Sequence, residues 1–369
     1  MKNAKTKLAA LTLIFTLIPF ILGLYIGSHV FGAGSHTIIS STDINVPGWM
    51  NSSSFKFNDE FWFGSCNRTD VFANPQMPYS YEISIENGIV KAKNGNTGQI
   101  EFQSTNAGYV IQQAIDALTS GGSIFIKKGE YTIANNPISV TNKDKLTILS
   151  DNALLKQEGT AIKYIFEIID SENVTVKGLR FSQEGIPDDG LKGTQYPVRV
   201  GGSAGSTNVL FKECYFLNGV DNCFATGKTT NLIVEDCVFD TAGEHIIYLN
   251  DLAYAVFKNC RFLNWAKRVR GYAPKIQDSI RVTFEDCYWE QNEDGQGHQA
   301  GAHVDYGPYM SVVVNCTDVR FIRNTWKGDG TSDLYPALDV ISNSDRIYYV
   351  KCEFLDVGNI ASDNTGRVY

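Results

Sequence analysis

The segments VLFKECYF (209–216), LIVEDCVF (232–239), AVFKNCRF (255–262) and VTFEDCYW (282–289) decide the fold of this chain. Apolar and polar residues alternate within each of them, which is typical of a β-strand with one buried face. Each segment ends in Phe or Trp and carries a cysteine two positions earlier. The segments are therefore equivalent strands of a repeat, and their shared positions predict which side chains face the core.

The spacing of this repeat indicates a β-solenoid. Cys214, Cys237, Cys260 and Cys287 follow one another at intervals of 23, 23 and 27 residues. An interval of 23 residues is too short for a four-stranded propeller blade but fits one coil of three short parallel strands. Neighbouring coils lie about 4.8 Å apart, so equivalent residues form ladders, and the sequence predicts an inner ladder of aromatic rings. Further copies of the pattern are VTVKGLRF (174–181), VRFIRNTW (319–326) and IYYVKCEF (347–354).

Cysteines and charges follow the same register. The inward cysteine column contains Cys214, Cys237, Cys260, Cys287 and Cys352. A cysteine in such a column acts as a small buried hydrophobe, which predicts free thiols. Disulfide bonds are the alternative, because eight cysteines in an exported chain also admit them. The outward column Lys212, Glu235, Lys258 and Glu285 alternates in sign, so neighbouring coils pair opposite charges.

The N-terminus predicts an export signal or a membrane anchor. Lys2, Lys5 and Lys7 precede 19 uncharged, mostly apolar residues, from Leu8 to Ile26. This order matches a signal peptide, the run is long enough to span a bilayer, and a buried core helix is a third interpretation. We expect the remaining chain to be extracellular, either secreted or anchored at the cell surface. Four Asn-x-Ser/Thr sequons agree with this location.

A helix is predicted before the first coil. Asn106 can cap it, and an apolar face continues from Val110 to Leu118 before Gly121 and Gly122 end the helix. An amphipathic helix at this point would cover the open end of the solenoid.

The run GYVIQQAIDALTSGGSIFIKKGEYTI (108–133) resembles the N-terminal signature of the pectate-lyase-like right-handed parallel β-helix superfamily, which has a single-stranded, pectin-lyase-like fold. The resemblance implies a capping helix, Gly-Gly, a strand, a glycine turn and Tyr-x-Ile. The family includes polysaccharide lyases, polygalacturonase-like hydrolases, epimerases, tailspikes and surface proteins of no known activity, so fold alone does not decide function.

The predicted organisation is a signal or anchor at 1–34, a linker or small flanking segment at 35–80, lead-in strands at 81–104 and the parallel β-helix at 105–369.

Counting back from the cysteine column predicts which polar side chains stack. Fifteen residues before it stand Arg199, Asn222, His245 and Tyr272, and twelve before it stand Gly202, Ala225, Tyr248 and Lys275. The candidate catalytic residues are Asp221, Glu244, His245 and Lys275. The candidate substrate-binding residues are Arg199, Tyr248, Arg270, Tyr272 and Gln277. The alternative is a solvated outer face without chemistry.

The two carboxylates give this cluster its predicted chemistry. Asp221 and Glu244 would lie one coil apart, roughly 5 Å, where they would share a proton or bind a cation. A glycosidase uses paired carboxylates, and a uronide lyase uses a cation together with a basic side chain. The residues define no particular cofactor, and Ca²⁺ is the candidate that this cluster suggests.

A second candidate site is a long insertion after Cys287. His298, His303 and Asp305 are weak candidates for a metal site, and a solvated loop is the alternative.

Two functions remain open from the sequence. The first is an exported or surface-anchored enzyme acting on polysaccharide, as a uronide lyase or glycoside hydrolase. The second is a non-catalytic adhesin or glycan-binding surface protein. The partner in both is a polysaccharide or cell-surface glycan, with the membrane as a further partner if the N-terminal segment is retained. Nucleic acid is not an expected partner, because the net charge is −8 and binding needs a basic surface.

Overall fold

The computed structural model describes residues 55–57, 61–63, 77–187, 194–268, 271–291, 311–328, 339–341, 343–355 and 362–363. The chain forms two compact units, Met1–Pro75 and Gln76–Tyr369. In the first unit, strands β1 (Phe55–Phe57) and β2 (Phe61–Phe63) pair antiparallel. The predicted signal or anchor at 1–34 lies outside the described residues. Within the described part of the chain, no helix is both long and apolar enough to cross a membrane.

The second unit begins with three antiparallel strands and a helix. The strands are β3 (Tyr81–Glu86), β4 (Ile89–Asn94) and β5 (Ile100–Ser104), and the helix is α1 (Ala107–Ala117). The Asn106 side chain accepts a hydrogen bond from the Tyr109 backbone N–H at 3.0 Å, so the predicted helix and its N-cap are present. The apolar face of α1 is buried in the same core as the strands that follow.

The rest of the unit is a parallel β-solenoid, as predicted, whose described coils each contribute one strand to each of three sheets. Sheet 1 contains β6 (Gly122–Ile126), β9 (Leu146–Ser150), β12 (Glu172–Lys177), β15 (Ser206–Lys212), β18 (Thr229–Glu235), β21 (Leu252–Lys258), β24 (Ile280–Glu285), β27 (Thr317–Ile322) and β30 (Asp345–Val350), and β3 extends it by pairing with β6. Sheet 2 contains β7 (Glu130–Ile133), β10 (Leu154–Gln157), β13 (Arg180–Ser182), β16 (Tyr215–Gly219), β19 (Val238–Ala242), β22 (Arg261–Leu263), β25 (Tyr288–Glu290), β28 (Thr325–Lys327) and β31 (Glu353–Leu355). Sheet 3 contains β8 (Ile138–Thr141), β11 (Phe166–Ile169), β14 (Val198–Gly201), β17 (Phe224–Thr226), β20 (Ile247–Asn250), β23 (Lys275–Gln277), β26 (Val312–Val314), β29 (Asp339–Ile341) and β32 (Ser362–Asp363).

The aromatic ladder lies in the core where the repeat predicts it. The ring centroids of Phe216 and Phe239 are 4.6 Å apart, those of Phe239 and Phe262 are 4.8 Å apart, and the rings are nearly parallel. The ladder continues through Trp289 and Trp326 with stacked rings. Stacking is enforced because parallel pairing holds equivalent residues of neighbouring coils directly above one another.

The predicted thiol and charge columns are also present. The seven cysteines that the structure describes are free, and all but Cys352 are buried. On the outer side, Lys212 Nζ lies 3.1 Å from a Glu235 carboxylate oxygen, and Lys258 Nζ lies 3.8 Å from one of Glu285.

Asparagines form a further ladder on sheet 1. Asn208 Nδ2 donates to Asn173 Oδ1 at 2.9 Å, and Asn231 Nδ2 donates to Asn208 Oδ1 at 2.7 Å. All three have positive φ, between 54° and 57°, in the left-handed region that asparagine tolerates better than most residues. The ladder thus stabilises a backbone bend that recurs in each of these coils.

We predict that Phe239→Ala lowers the free energy of unfolding by about 3–5 kcal/mol, because it removes a fully buried ring from the middle of the ladder. Urea unfolding followed by circular dichroism measures the loss. The control is Tyr109→Ala on the exposed face of α1, which should change stability little. Equal stability of the Phe239→Ala variant and the wild type would show that the ladder does not hold the coils together.

Candidate functional site at the junction of sheets 2 and 3

The register of sheet 3 places one column of polar side chains on its outer face. Glu167, Arg199, Ala225, Tyr248 and Lys275 pair in that order on five successive strands, β11 to β23. Their side chains alternate with buried neighbours such as Val200 and Leu249, so they point outward. This column forms one wall of the candidate site.

The predicted position of Arg199 was wrong by three residues. Arg199 pairs with Ala225 and so belongs to the Tyr248 and Lys275 column, not to the column of Asn222 and His245. The cause is a longer turn: seven positions separate Arg199 from Ser206, whereas four separate Ala225 from the equivalent Thr229. Arg199 therefore lies three coils from Lys275, about 14 Å along the axis.

His245 is held in one orientation by the coils on either side. Its backbone N–H donates to Asn222 Oδ1 at 3.1 Å, and its Nδ1 accepts the Tyr272 backbone N–H at 3.1 Å. Because Nδ1 is an acceptor, the imidazole proton lies on Nε2. Nε2 is 3.4 Å from Glu244 Oε1, and the histidine side chain is only 3% exposed. The predicted stacking of Asn222, His245 and Tyr272 on successive coils is confirmed.

The backbones of Asp221 and Glu244 are neighbours on successive coils, but their side chains contact different partners. Glu244 N–H donates to the Asp221 carbonyl at 2.7 Å, as expected for neighbouring coils. The Asp221 side chain is buried, with Oδ2 accepting from the backbone N–H groups of Thr194 and Gln195 at 2.9 and 2.8 Å. Its Oδ1 accepts from Arg268 Nη2 at 2.5 Å. Asp221 thus neutralises and orients Arg268, while the Glu244 carboxylate, 14% exposed, lies beside His245.

Tyr248 and Lys275 form a half-buried part of the site. Lys275 Nζ lies 4.6 Å from the Tyr248 ring centroid, and Tyr248 Oη donates to Gln277 Oε1 at 3.2 Å. Burial lowers the pKa of Lys275, and the carboxylate of Glu244 acts against that shift. Burial raises the pKa of the Tyr248 phenol, with further contributions from the negative charges of Asp278 and Glu244.

Aromatic rings surround His245 on two sides. Its ring centroid is 5.8 Å from that of Tyr248 and 5.1 Å from that of Tyr272. The structure therefore brings together six of the predicted residues, which we call the sheet 3 cluster: Glu244, His245, Tyr248, Tyr272, Lys275 and Gln277.

Sequence reasoning missed an aromatic pair further along the same face. Tyr164 stacks on Tyr196 with centroids 4.9 Å apart, and the Arg199 guanidinium lies 5.0 Å from the Tyr164 centroid. Arg199 Nε is 3.9 Å from a Glu167 carboxylate oxygen. Each tyrosine stands two residues before its sheet 3 strand, as His245 does, and that offset was the available signal.

The proposed metal ligands cannot be placed. His298, His303 and Asp305 lie outside the described residues, and so does Arg270. Among the residues that the structure describes, no group of three or more His, Cys, Asp or Glu side chains is arranged to hold a metal ion.

Comparison with known proteins identifies the class. A family model described as "Right handed beta helix region" matches residues 124–324, and the chain belongs to this family. The fold resembles an alginate lyase from Paenibacillus sp. str. FPU-7, with a TM-score of 0.50 and 12% identity over 71% of this chain and 96% of that one. It also resembles pectate lyase Pel9A, with a TM-score of 0.44 and 13% identity over 70% of this chain and 72% of that one. A third similar structure is PfbA, a surface adhesin of Streptococcus pneumoniae, with a TM-score of 0.42 and 13% identity over 69% of this chain and 90% of that one.

The family match confirms the predicted right-handed parallel β-helix, and the likeness to the alginate lyase, at 12% identity, shows a shared fold alone. No curated protein sequence matches the chain significantly.

We predict that Asp221→Asn lowers the free energy of unfolding by about 2–3 kcal/mol, because the isosteric amide removes a charged, buried hydrogen-bond acceptor from Arg268. Urea unfolding measures the change. The matched control is Glu235→Gln, the same chemical change in the exposed pair with Lys212, which should cost much less. Equal effects of the two substitutions would contradict a special role for the buried pair.

Proposed function

We propose that this protein is a lyase that cleaves an acidic polysaccharide by β-elimination at the sheet 3 cluster. The observation that carries the proposal is the pairing of Lys275 with Tyr248 on adjacent coils of the outer face, with the ammonium group 4.6 Å from the ring centroid. The lowered pKa of Lys275 favours its neutral, basic form, which a general base requires.

In this mechanism neutral Lys275 takes the proton from C5 of a uronate residue. The electron pair left behind forms the C4–C5 double bond while the bond from C4 to the glycosidic oxygen breaks. The Tyr248 hydroxyl gives its proton to that leaving oxygen. The Lys275 ammonium then returns a proton to the Tyr248 phenolate, which stands on the neighbouring coil.

Neighbouring side chains would bind and orient the substrate. Arg268, whose guanidinium Asp221 holds in place, would donate hydrogen bonds to the uronate carboxylate next to C5. Glu244, positioned by His245, would accept hydrogen bonds from sugar hydroxyls. Arg199, three coils away, would bind the carboxylate of another residue of the same chain.

Hydrolysis by paired carboxylates is less well supported. A glycosidase needs two carboxyl groups directed at the scissile bond. Asp221 is buried and accepts hydrogen bonds from three donors, so it does not pair with Glu244 in that way.

We propose an extracellular location for this activity, as secreted or surface-anchored protein. The support is the lysine-flanked apolar run from Leu8 to Ile26.

Lys275→Met should reduce lyase activity by at least about 100-fold, because it removes the general base while keeping an unbranched side chain. The ultraviolet absorbance of unsaturated uronide products, measured with polygalacturonate and with alginate, gives the rate. The matched control is Lys212→Met on the outer face of sheet 1, which should retain full activity. If the wild type binds these polymers but releases no unsaturated product, the protein is a glycan-binding protein and the lyase proposal fails.

The pH dependence gives an independent test. Since Lys275 must be neutral, kcat/KM should rise with pH and level off below the ordinary lysine pKa of 10.5. Glu244→Gln removes the negative charge that raises the pKa of Lys275, so the rising limb should move to lower pH. Glu167→Gln is the matched control, because Glu167 lies in the same column as Lys275 but four coils away from it. This substitution should leave the rising limb in place. An unchanged limb in Glu244→Gln would exclude Lys275 as the titrating base.

A further inference from the structure

The outer face of sheet 2 carries a second column that the proposed lyase chemistry does not use. Its members pair on successive strands from β10 to β28 and contain no carboxylate, and we call them the sheet 2 stripe: Leu154, Arg180, Tyr215, Val238, Arg261, Tyr288 and Thr325. Acidic residues enter the column only beyond its ends, at Glu130 and Glu353.

Arginine and tyrosine are paired twice within the stripe. The Arg180 guanidinium lies 5.7 Å from the Tyr215 ring centroid, and the Arg261 guanidinium lies 5.8 Å from that of Tyr288. A ring beside a guanidinium restricts its orientation, so that the planar donor fork is held ready for a carboxylate. The two arginines are three coils apart, about 14 Å along the axis.

Neither arginine has a carboxylate partner in the described part of the chain. Most described arginines form an ion pair with Asp or Glu, namely Arg199, Arg268, Arg320, Arg323 and Arg346. Arg180, Arg261 and Arg281 form none, and the buried Nε of Arg180 has no hydrogen-bond acceptor. Arg180 and Arg261 lie on sheet 2, whereas Arg281 lies on sheet 1.

The acidic residues at the adjacent corner do not cancel this positive charge. Glu213 pairs with Lys177, Asp236 with Lys212, and Asp286 with Arg323. On the outer face of sheet 2 itself, Glu290 pairs with Lys327, and Asp240 accepts a hydrogen bond from Asn264. Arg180 and Arg261 thus form no ion pair with the described carboxylates, on a protein whose net charge is −8.

We infer that the sheet 2 stripe is a second, non-catalytic binding surface for a linear acidic polysaccharide. Arg180 and Arg261 would each bind a carboxylate of the polymer through two parallel N–H bonds. The Tyr215 hydroxyl, on a residue that is 40% exposed, would bind a sugar hydroxyl beside them, whereas the Tyr288 hydroxyl is hydrogen-bonded to Glu290. The inference goes beyond the proposed cleavage and does not require it, because it concerns a different sheet.

The test measures binding of the full chain to immobilised polygalacturonate. All proteins carry Lys275→Met so that the polymer is not cleaved during the measurement. The double substitution Arg180→Gln and Arg261→Gln should weaken binding about tenfold, because two charge-assisted contacts are lost. In the otherwise wild-type protein, the same pair of substitutions should leave the cleavage of short oligomers unchanged.

Two further variants separate specific binding from general effects. Arg281→Gln removes the same kind of arginine from a tyrosine on sheet 1, where the Arg281 guanidinium lies 4.8 Å from the Tyr254 ring centroid, and should not change binding. Arg261→Lys keeps the positive charge but loses the planar guanidinium that forms two parallel hydrogen bonds. It should weaken binding less than Arg261→Gln does.

The outcomes distinguish this inference from the lyase proposal. Undiminished binding by the double variant, or an equal loss in Arg281→Gln, would overturn the sheet 2 stripe as a binding site. Binding that depends on the stripe in a wild-type protein without lyase activity would support the stripe and reject the lyase.

Discussion

Parallel pairing between successive coils is the constraint on which this structure depends. Each strand forms its hydrogen bonds with the equivalent strands of the coils before and after it, at a spacing of about 4.8 Å. A side chain therefore contacts the equivalent side chains of the coils above and below it. The residues of each column must consequently be able to pack against one another. Rings satisfy this condition by stacking, as Phe216, Phe239 and Phe262 do. Charges satisfy it by alternating, as Lys212 and Glu235 do.

The same constraint determines where chemistry can arise. Inward columns are filled by apolar side chains, and the short turn between sheets 1 and 2 repeats with little variation. Variation is concentrated in the turns that lead into sheet 3, where Asp221, Glu244 and His245 lie. These turns pack on one another, so a buried carboxylate in one coil can hold an arginine from another. Asp221 and Arg268, 47 residues apart in sequence, are held together in this way.

The sequence was informative wherever its intervals were regular. The aromatic ladder and the shared column of Tyr248 and Lys275 were predictable because each of these residues stands at a constant distance from the cysteine of its own coil. Arg199 was misplaced because counting back from the cysteine assumes turns of constant length, and the turn after β14 is longer. The partner of Asp221 was equally hidden, because the count specifies a coil and a column but not which donors a turn directs at a carboxylate. Tyr164 and Tyr196 were missed for the reason that displaced Arg199: the register of sheet 3 at β11 and β14 was not known.

A protein with a net negative charge can bind an anionic polymer only where its surface is locally positive. Here many described cations on the outer surface are neutralised by a carboxylate in the same or the next coil, as Lys258 is by Glu285. At surface exposure and physiological salt, such pairs contribute little to the field beyond a Debye length of about 8 Å. At contact distance, a polymer would bind to cations that have no carboxylate partner. Lys275 on sheet 3, Arg180 and Arg261 on sheet 2 and Arg281 on sheet 1 are among these cations, and each lies against a tyrosine ring. Contact with a ring, rather than with a carboxylate, leaves the positive charge available to an anionic ligand, which is why the faces of sheets 2 and 3 are suited to bind one.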